Sequence, residues 1–290
     1  MVFKEYQDYL KSMLLFFDSF CRENDIKYSA CCGTLLGLIR HSDIIPWDGD
    51  VDVAMTRKEY TKLVAAFKNY NGRFYLEDMN NRAIKHGCKK DFVSIHSKLV
   101  DKKCNSALYC IDIYTLDFLG DDYLQARYAV RKYKKYYQYA KFFLSFHLPA
   151  FHTYNGLLKN ALILFIHFIH PICYIIYWIT MPFFKRKFNR FQDEYLSFEE
   201  NSRYFTLIPY YLKNIDVEEN SFKKYLDFNF GNFKVMAFDN YKLILEKSYG
   251  EYLKLPPEEK RKPYPSEMIL TKIDIEMDDE MRCLYDRIRN

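Results

Sequence analysis

Residues 48–53 read DGDVDV, and the alternation inside this hexapeptide constrains the fold more than any other feature of the chain. A strand sends successive side chains to opposite faces, so Val51 and Val53 point one way and Asp50 and Asp52 the other. Like charges held that close repel and raise one another's pKa, and burial adds to the cost. Either water solvates Asp48, Asp50 and Asp52, or something positive sits among them. The strand expected at 49–55 thus offers one apolar face to a core and one acidic face to an edge.

The flanking sequence supplies that core. Phe3, Tyr6, Leu10, Met13, Leu14, Phe17 and Cys21 recur at helical spacing, which predicts an amphipathic helix over 3–22. Residues 26–32 read as a strand, Gly33-Thr34 as the turn after it, 35–41 as a short helix and 43–47 as a loop carrying Pro46. Thr56 is the expected N-cap of a helix reaching Lys68, with Glu59 as its capping-box partner. Further strands are expected at 73–77, 92–100 and 108–114, the last interrupted by one charge, Asp112. This order gives an α+β fold, a small mixed sheet with flanking helices. If the Asp112 strand lies beside that of Asp50 and Asp52, three carboxylates meet at one edge. A hard divalent cation, Mg²⁺ with Mn²⁺ as substitute, relieves their repulsion; Mg²⁺ binds one or two carboxylates together with water and phosphate oxygens. The backbone N–H groups of Gly33-Thr34, at a helix N-terminus, suit a phosphate.

After Asp121-Asp122 the character changes. Residues 123–146 read as a basic, tyrosine-rich helix, and 161–184 contain no Asp, Glu, Lys or Arg. Pro171 should break that apolar run at its middle, giving a helical hairpin. Three placements stay open for the hairpin: an anionic membrane interface, a soluble core, or a span. His167 and His170 share a helical face within it and are weak evidence for a metal. The expected divisions are a catalytic core at 1–120, a helical, basic and apolar insertion at 121–197, and a part at 198–290 that completes the site. With 49% hydrophobic and 28% charged residues the chain must bury a core and is not disordered. A net charge of +5 fits a phosphate-bearing substrate or an anionic membrane, and equally fits plain solubility. The eight cysteines form no C-x-x-C pair, which argues against zinc. Without an apolar leader they are expected to stay reduced in the cytoplasm.

The stretch KYSACCGTLLGLIRHSDIIPWDGDVDVAM resembles the signature of the LicD family, which includes bacterial phosphocholine transferases and, more distantly, fukutin-type phosphotransferases. The match covers Gly33 to Gly37, Arg40-His41, Ile45 to Asp48 and Asp50 to Asp52. CIDIYTLDFL resembles the family's IDIFPLD block, and SYGEYLKLPPEEKR its YG-x-x-Y…PP-x-E-x-R block. Cys32 stands where the family has Gly, Gly49 replaces the middle aspartate, Thr115 replaces a proline, and a histidine often found after the last block is missing. None of these removes a proposed metal ligand, so an active enzyme is expected.

The resemblance implies a nucleotidyltransferase-like fold and Mg²⁺-dependent transfer of a phospho-alcohol such as phosphocholine. The donor would be a CDP-alcohol and the acceptor a hydroxyl of a glycan or lipid-linked glycan of lipopolysaccharide, teichoic acid or capsule; CMP would leave. Asp50, Asp52 and Asp112 would hold the metal, and Gly33 and Thr34 would bind phosphate oxygens. Asp48 either handles the acceptor proton or supports the ligands. Arg40, with His41 beside it, contacts phosphate or makes a structural ion pair. Trp47 packs the loop or stacks on substrate, and Lys98 faces the donor phosphates or lies on the surface. Tyr249, with Tyr252 and Pro256-Pro257, walls the pocket or closes the fold. The expected location is the inner face of a bacterial plasma membrane, peripherally bound, with no nucleic-acid partner. Two rivals stand beside this: a nucleotidyltransferase releasing pyrophosphate, and a non-catalytic membrane-associated binding protein.

Overall fold

The computed structural model describes residues 3–77, 97–104, 109–144, 157–195, 205–206, 222, 224–263 and 277–289, with backbone alone for 137–144 and parts of 157–195. A mixed sheet organises them. In spatial order it runs β1 (Ser29–Ala30), β2 (Asp52–Thr56), β5 (Cys110–Phe118), β4 (Ser97–Asp101), β3 (Phe74–Glu77), and β6 (Phe205–Thr206) pairs the far end of β5. The β2–β5 pair is parallel and its neighbours are antiparallel. A second, two-stranded sheet is the hairpin of β7 (Tyr225–Phe230) and β8 (Phe233–Phe238). It docks on β1, where Ser29 Oγ accepts the Phe238 N–H at 3.0 Å.

Helix α1 (Phe3–Glu23) crosses the sheet, and its whole predicted apolar stripe beyond Phe3 is buried. Its other faces are covered too, for Gln7, Asp8, Lys11, Ser12 and Asp18 are all buried. Tyr6 and Tyr9 both set the edges of their rings against Tyr109, with centroids 5.1 Å apart. Close to α1 lies α7 (Asp279–Arg289), the charged tail of the sequence. Arg73 ties this region together: it is buried, bonds Asp101 at 2.8 Å, and reaches Asp278 at 3.0 Å, while Tyr9 donates to the same Asp101.

Several expected boundaries shift. Helix α2 (Cys32–Arg40) begins before Gly33-Thr34, so these residues occupy its first turn and not a turn ahead of it. Strand β2 starts at Asp52, and Asp50 lies just ahead of it, because the backbone from Asp48 to Val51 follows the loop after Pro46. The strand expected at 26–32 shrinks to β1. Strand β5 runs to Phe118, past Thr115, which pairs with Met55 in the ladder; a proline there would lose its donor, and threonine keeps it. Thr56 caps α3 (Arg57–Phe67) by accepting the Glu59 N–H, while the Glu59 carboxylate accepts the Lys27 N–H at 2.7 Å. Residues 92–96 of the expected strand lie outside the described residues.

The largest correction concerns the apolar run. Helix α5 (Leu157–Tyr195) passes through Pro171 and Pro182 without a break, so there is no hairpin. Each proline removes only one N–H, and 161–184 hold no Gly, Asn, Asp or Ser with which to reverse the chain. Phe184, Phe188 and Phe191 pack on Ala126, Ala129 and Tyr133 of α4 (Tyr123–Leu144) as a separate small core. Leu164, Phe168, Ile172, Ile175, Ile179 and Phe183 form one exposed stripe along α5. Among the described residues, no helix is long and apolar enough to cross a membrane. The side chains of His167 and His170 lie outside the described residues.

Candidate active site

Parallel pairing of β2 and β5 puts Asp52 directly opposite Asp112. The neighbouring antiparallel strand puts Lys98 opposite Asp112, and its ammonium bonds that carboxylate. Asp52 is buried, and its N–H is held by the buried Thr34 hydroxyl at 2.8 Å. That hydroxyl oxygen therefore fixes the start of β2. The N–H groups of the first α2 turn have no partner within the helix, and its N-cap, Cys31, makes no side-chain cap bond.

The loop bearing Asp48 and Asp50 is gripped from two sides. Gln7 Nε2 donates to the carbonyls of Ile45 (3.0 Å) and Asp48 (2.8 Å), the Tyr6 hydroxyl donates to Gly49 O at 2.8 Å, and Lys11 pairs with Asp43 at 2.9 Å. From the other side the Gly231 N–H in the β7–β8 turn donates to Ser42 O at 2.6 Å. Asp48 then lies against α2 so closely that a Cβ on Gly33 would come within 2.5 Å of its Oδ2. A Cβ on Gly37 would come within 2.6 Å of the Asp43 carbonyl. Both glycines of the GTLLG motif thus permit helix and loop to touch.

The electrostatics follow from this crowding. Burial, with the Asp50 charge and an Asp48–Asp50 hydrogen bond, pushes Asp48 up to about 8. Asp50 is open to solvent on one side, yet the surrounding protein and Asp112 still raise its pKa. Asp52 is raised well above the carboxylate range by burial and then by its charged neighbours. Burial works against the Lys98 ammonium, but Cys110 and Asp112 outweigh it and its pKa rises. A carboxylate-rich set under such mutual repulsion fits a hard divalent cation. Among the described residues no three such groups converge on one coordination point, so a cation would have to draw the side chains in.

The remaining predicted residues gather at the other end of the 41–48 loop. His41 meets Trp47 edge-on, 5.9 Å between centroids. Arg40 makes no carboxylate pair among the described residues; it donates to the carbonyls of Tyr252 (3.3 Å) and Lys254 (3.4 Å). Tyr249 is exposed at the end of α6 (Tyr241–Tyr249), near enough to influence Arg40. Sequence reasoning gave no role to Arg261, the last residue of the quoted PPEEKR block, whose guanidinium lies 6.0 Å from the Trp47 ring centroid. It also missed Tyr114, two residues from Asp112 and so on the same strand face, which senses both Asp52 and Asp112. Asp117, the last acid of the IDIYTLD block, is structural: fully buried, it holds Arg57 through two 2.7 Å bonds. A cavity of about 440 Å³ lined by Arg22, Thr56, Lys58, Phe222 and Met236 adjoins the other end of β2, away from the carboxylates.

Acidic side chains at one end of the β2–β5 pair, beside a helix N-terminus, are an arrangement suited to phosphoryl transfer. Residues 25–153 match the family model described as the LicD/FKTN/FKRP nucleotidyltransferase domain, so this part of the chain is similar to that family. The chain is 26% identical over 285 residues to the lipopolysaccharide cholinephosphotransferase LicD of Haemophilus influenzae, covering 91% of this chain and 96% of that one. An uncharacterized Rickettsia prowazekii protein is 31% identical over 116 residues, 39% of this chain and 41% of its own.

Proposed function

We propose that the chain transfers a phospho-alcohol, with phosphocholine the first choice, from a CDP-linked donor to a hydroxyl of a lipopolysaccharide-type glycan, releasing CMP. The observation that carries this reading is the register of Asp52 opposite Asp112, with Asp50 beside them. The near full-length similarity to a lipopolysaccharide cholinephosphotransferase supports the choice of alcohol and acceptor. Asp50, Asp52 and Asp112 would hold Mg²⁺, which when bound supplies charge neutralisation for the diphosphate and the leaving group. The first-turn N–H groups of α2 orient a phosphate oxygen. Asp48, with its raised pKa and its bond to Asp50, is suited to take the acceptor hydroxyl's proton.

The exposed stripe of α5 would rest on an anionic bilayer, where a lipid-linked acceptor resides. Exposed Arg186, Lys187 and Arg190 continue the helix and complement anionic headgroups. The test of function is ³¹P NMR of the purified chain with Mg²⁺, a lipopolysaccharide acceptor and a panel of CDP-alcohols. Appearance of CMP and a phosphodiester signal is expected. Pyrophosphate released from a nucleoside triphosphate would point to nucleotidyl transfer instead, and absence of all turnover would remove the enzymatic reading.

A further inference from the structure

The C-terminal block YGEYLKLPPEEKR has no part in the acidic centre, yet it folds directly against the loop that carries it. Arg261 follows a short 3₁₀ turn at Glu258–Lys260, and its Nε donates to Pro256 O at 2.7 Å. That bond aims the guanidinium at the face of Trp47. Arg40 approaches the same segment from the end of α2, bonding the carbonyls of Tyr252 and Lys254 and, through Nε, His41 Nδ1 at 3.4 Å. Both arginines are part-buried. Among the described residues neither has a carboxylate partner, and Arg40 Nη2 and both terminal nitrogens of Arg261 make no hydrogen bond.

Two like charges held close, with donors to spare and without a counter-ion, are the mirror image of the acidic cluster. Structural arginines are normally satisfied by carboxylates, as Arg57 is by Asp117 and Arg73 by Asp101. Planar forks with free N–H groups match phosphate oxygens in pairs. Arg261 is linked to Asp48 through Trp47, the residue before it in the chain, and Arg40 reaches the same loop through His41.

We propose that Arg40 and Arg261, both anchored on the 252–261 segment beside the loop of Trp47, form a phosphate-binding subsite that grips an anionic group of the substrate beside the acidic centre. This deepens the reading above and rests on it for the reaction, although the binding can be measured alone. Burial lowers the Arg40 pKa, repulsion from Arg261 adds to it, and a bound phosphate would offset both.

The test uses the full chain with Arg40→Gln, Arg261→Gln and Arg261→Lys, titrated calorimetrically with CMP and with glucose 1-phosphate, with and without Mg²⁺. Each glutamine variant should weaken the phosphate ligand about 10- to 100-fold and flatten the salt dependence of binding. Arg261→Lys should keep the charge but recover only part of the affinity, and thermal midpoints should stay near wild type. A loss confined to CMP assigns the subsite to the donor, and one confined to glucose 1-phosphate to a phosphorylated acceptor. Wild-type affinity in both glutamine variants, or no binding of either probe to the unaltered chain, overturns the proposal. Asp52→Asn separates the two readings: if it abolishes transfer while the glutamine variants bind normally, the function stands and the subsite falls. If it leaves transfer intact, the functional reading falls and the titrations still decide the subsite.

Discussion

Cys32 has φ of 50°, a left-handed backbone that costs a side-chain-bearing residue about 1–2 kcal/mol. The family's glycine at this position would be free of that strain. Cys32→Gly should therefore raise the urea midpoint by up to about 1 kcal/mol of stability, once glycine's extra unfolded-state entropy is deducted. At the next residue the argument reverses. Gly33→Ala forces its new methyl into Asp48 Oδ2, and a displaced site group costs on the order of 100-fold in rate. Steady-state kinetics should show the loss in kcat with the fold retained. Asp52→Asn removes a buried charge whose raised pKa marks it as a cost to the fold. Its melting midpoint should match or exceed wild type while CMP release vanishes; a variant that still turns over would sink the metal assignment. The aspartates were legible in the sequence because period-two alternation needs no tertiary information. The role of Thr34 was not, since a hydroxyl that ties two elements together looks the same in sequence as one that meets a ligand.

At the scale of elements, α1 does more than fill the core. Gln7 bonds two carbonyls of the loop that carries Asp48 from inside the protein. Gln7→Leu leaves both without their donor and should cost about 2 kcal/mol in a denaturant titration, with a parallel fall in kcat. The helix was readable from its apolar stripe, but not the burial of its polar face, which depends on what later packs there. Helix α5 was misread for a related reason. Proline's cost is local and certain, whereas the lack of an alternative turn is a property of the whole run. Its exposed stripe gives a direct test: Ile172→Glu with Ile179→Glu should abolish co-sedimentation with anionic liposomes while transfer to a soluble acceptor persists. Equal sedimentation of the variant would remove α5 from the membrane account.

Over the whole molecule, charge opposes stability where the function needs it. Asp48 in the folded chain binds its proton up to about pH 8, whereas an unfolded aspartate releases it near pH 4. The folded state thus holds the extra proton between these values, so stability falls as pH rises through that window. Scanning calorimetry in chelator should show midpoints declining from pH 5 to pH 8. Added Mg²⁺ should restore more at pH 8 than at pH 5. The common face of Asp50 and Asp52 followed from strand patterning; the sheet order and the Asp52–Asp112 register did not, because the adjacency of those strands entered only as a condition. The grip of the C-terminal third did not, because Gly231 and Arg261 act on a loop far upstream and leave no local periodicity.

That grip has a consequence for biosynthesis. The ribosome delivers Asp48, Asp50, Asp52 and Asp112 before the turn that clamps the loop of the first two, which comes only with Gly231. At about 5–20 residues per second the nascent chain spends on the order of ten seconds or longer with its acidic loop held from one side alone. A fragment released before Gly231 would therefore carry the Asp48 loop with the α1 grip alone and lack the second clamp on it.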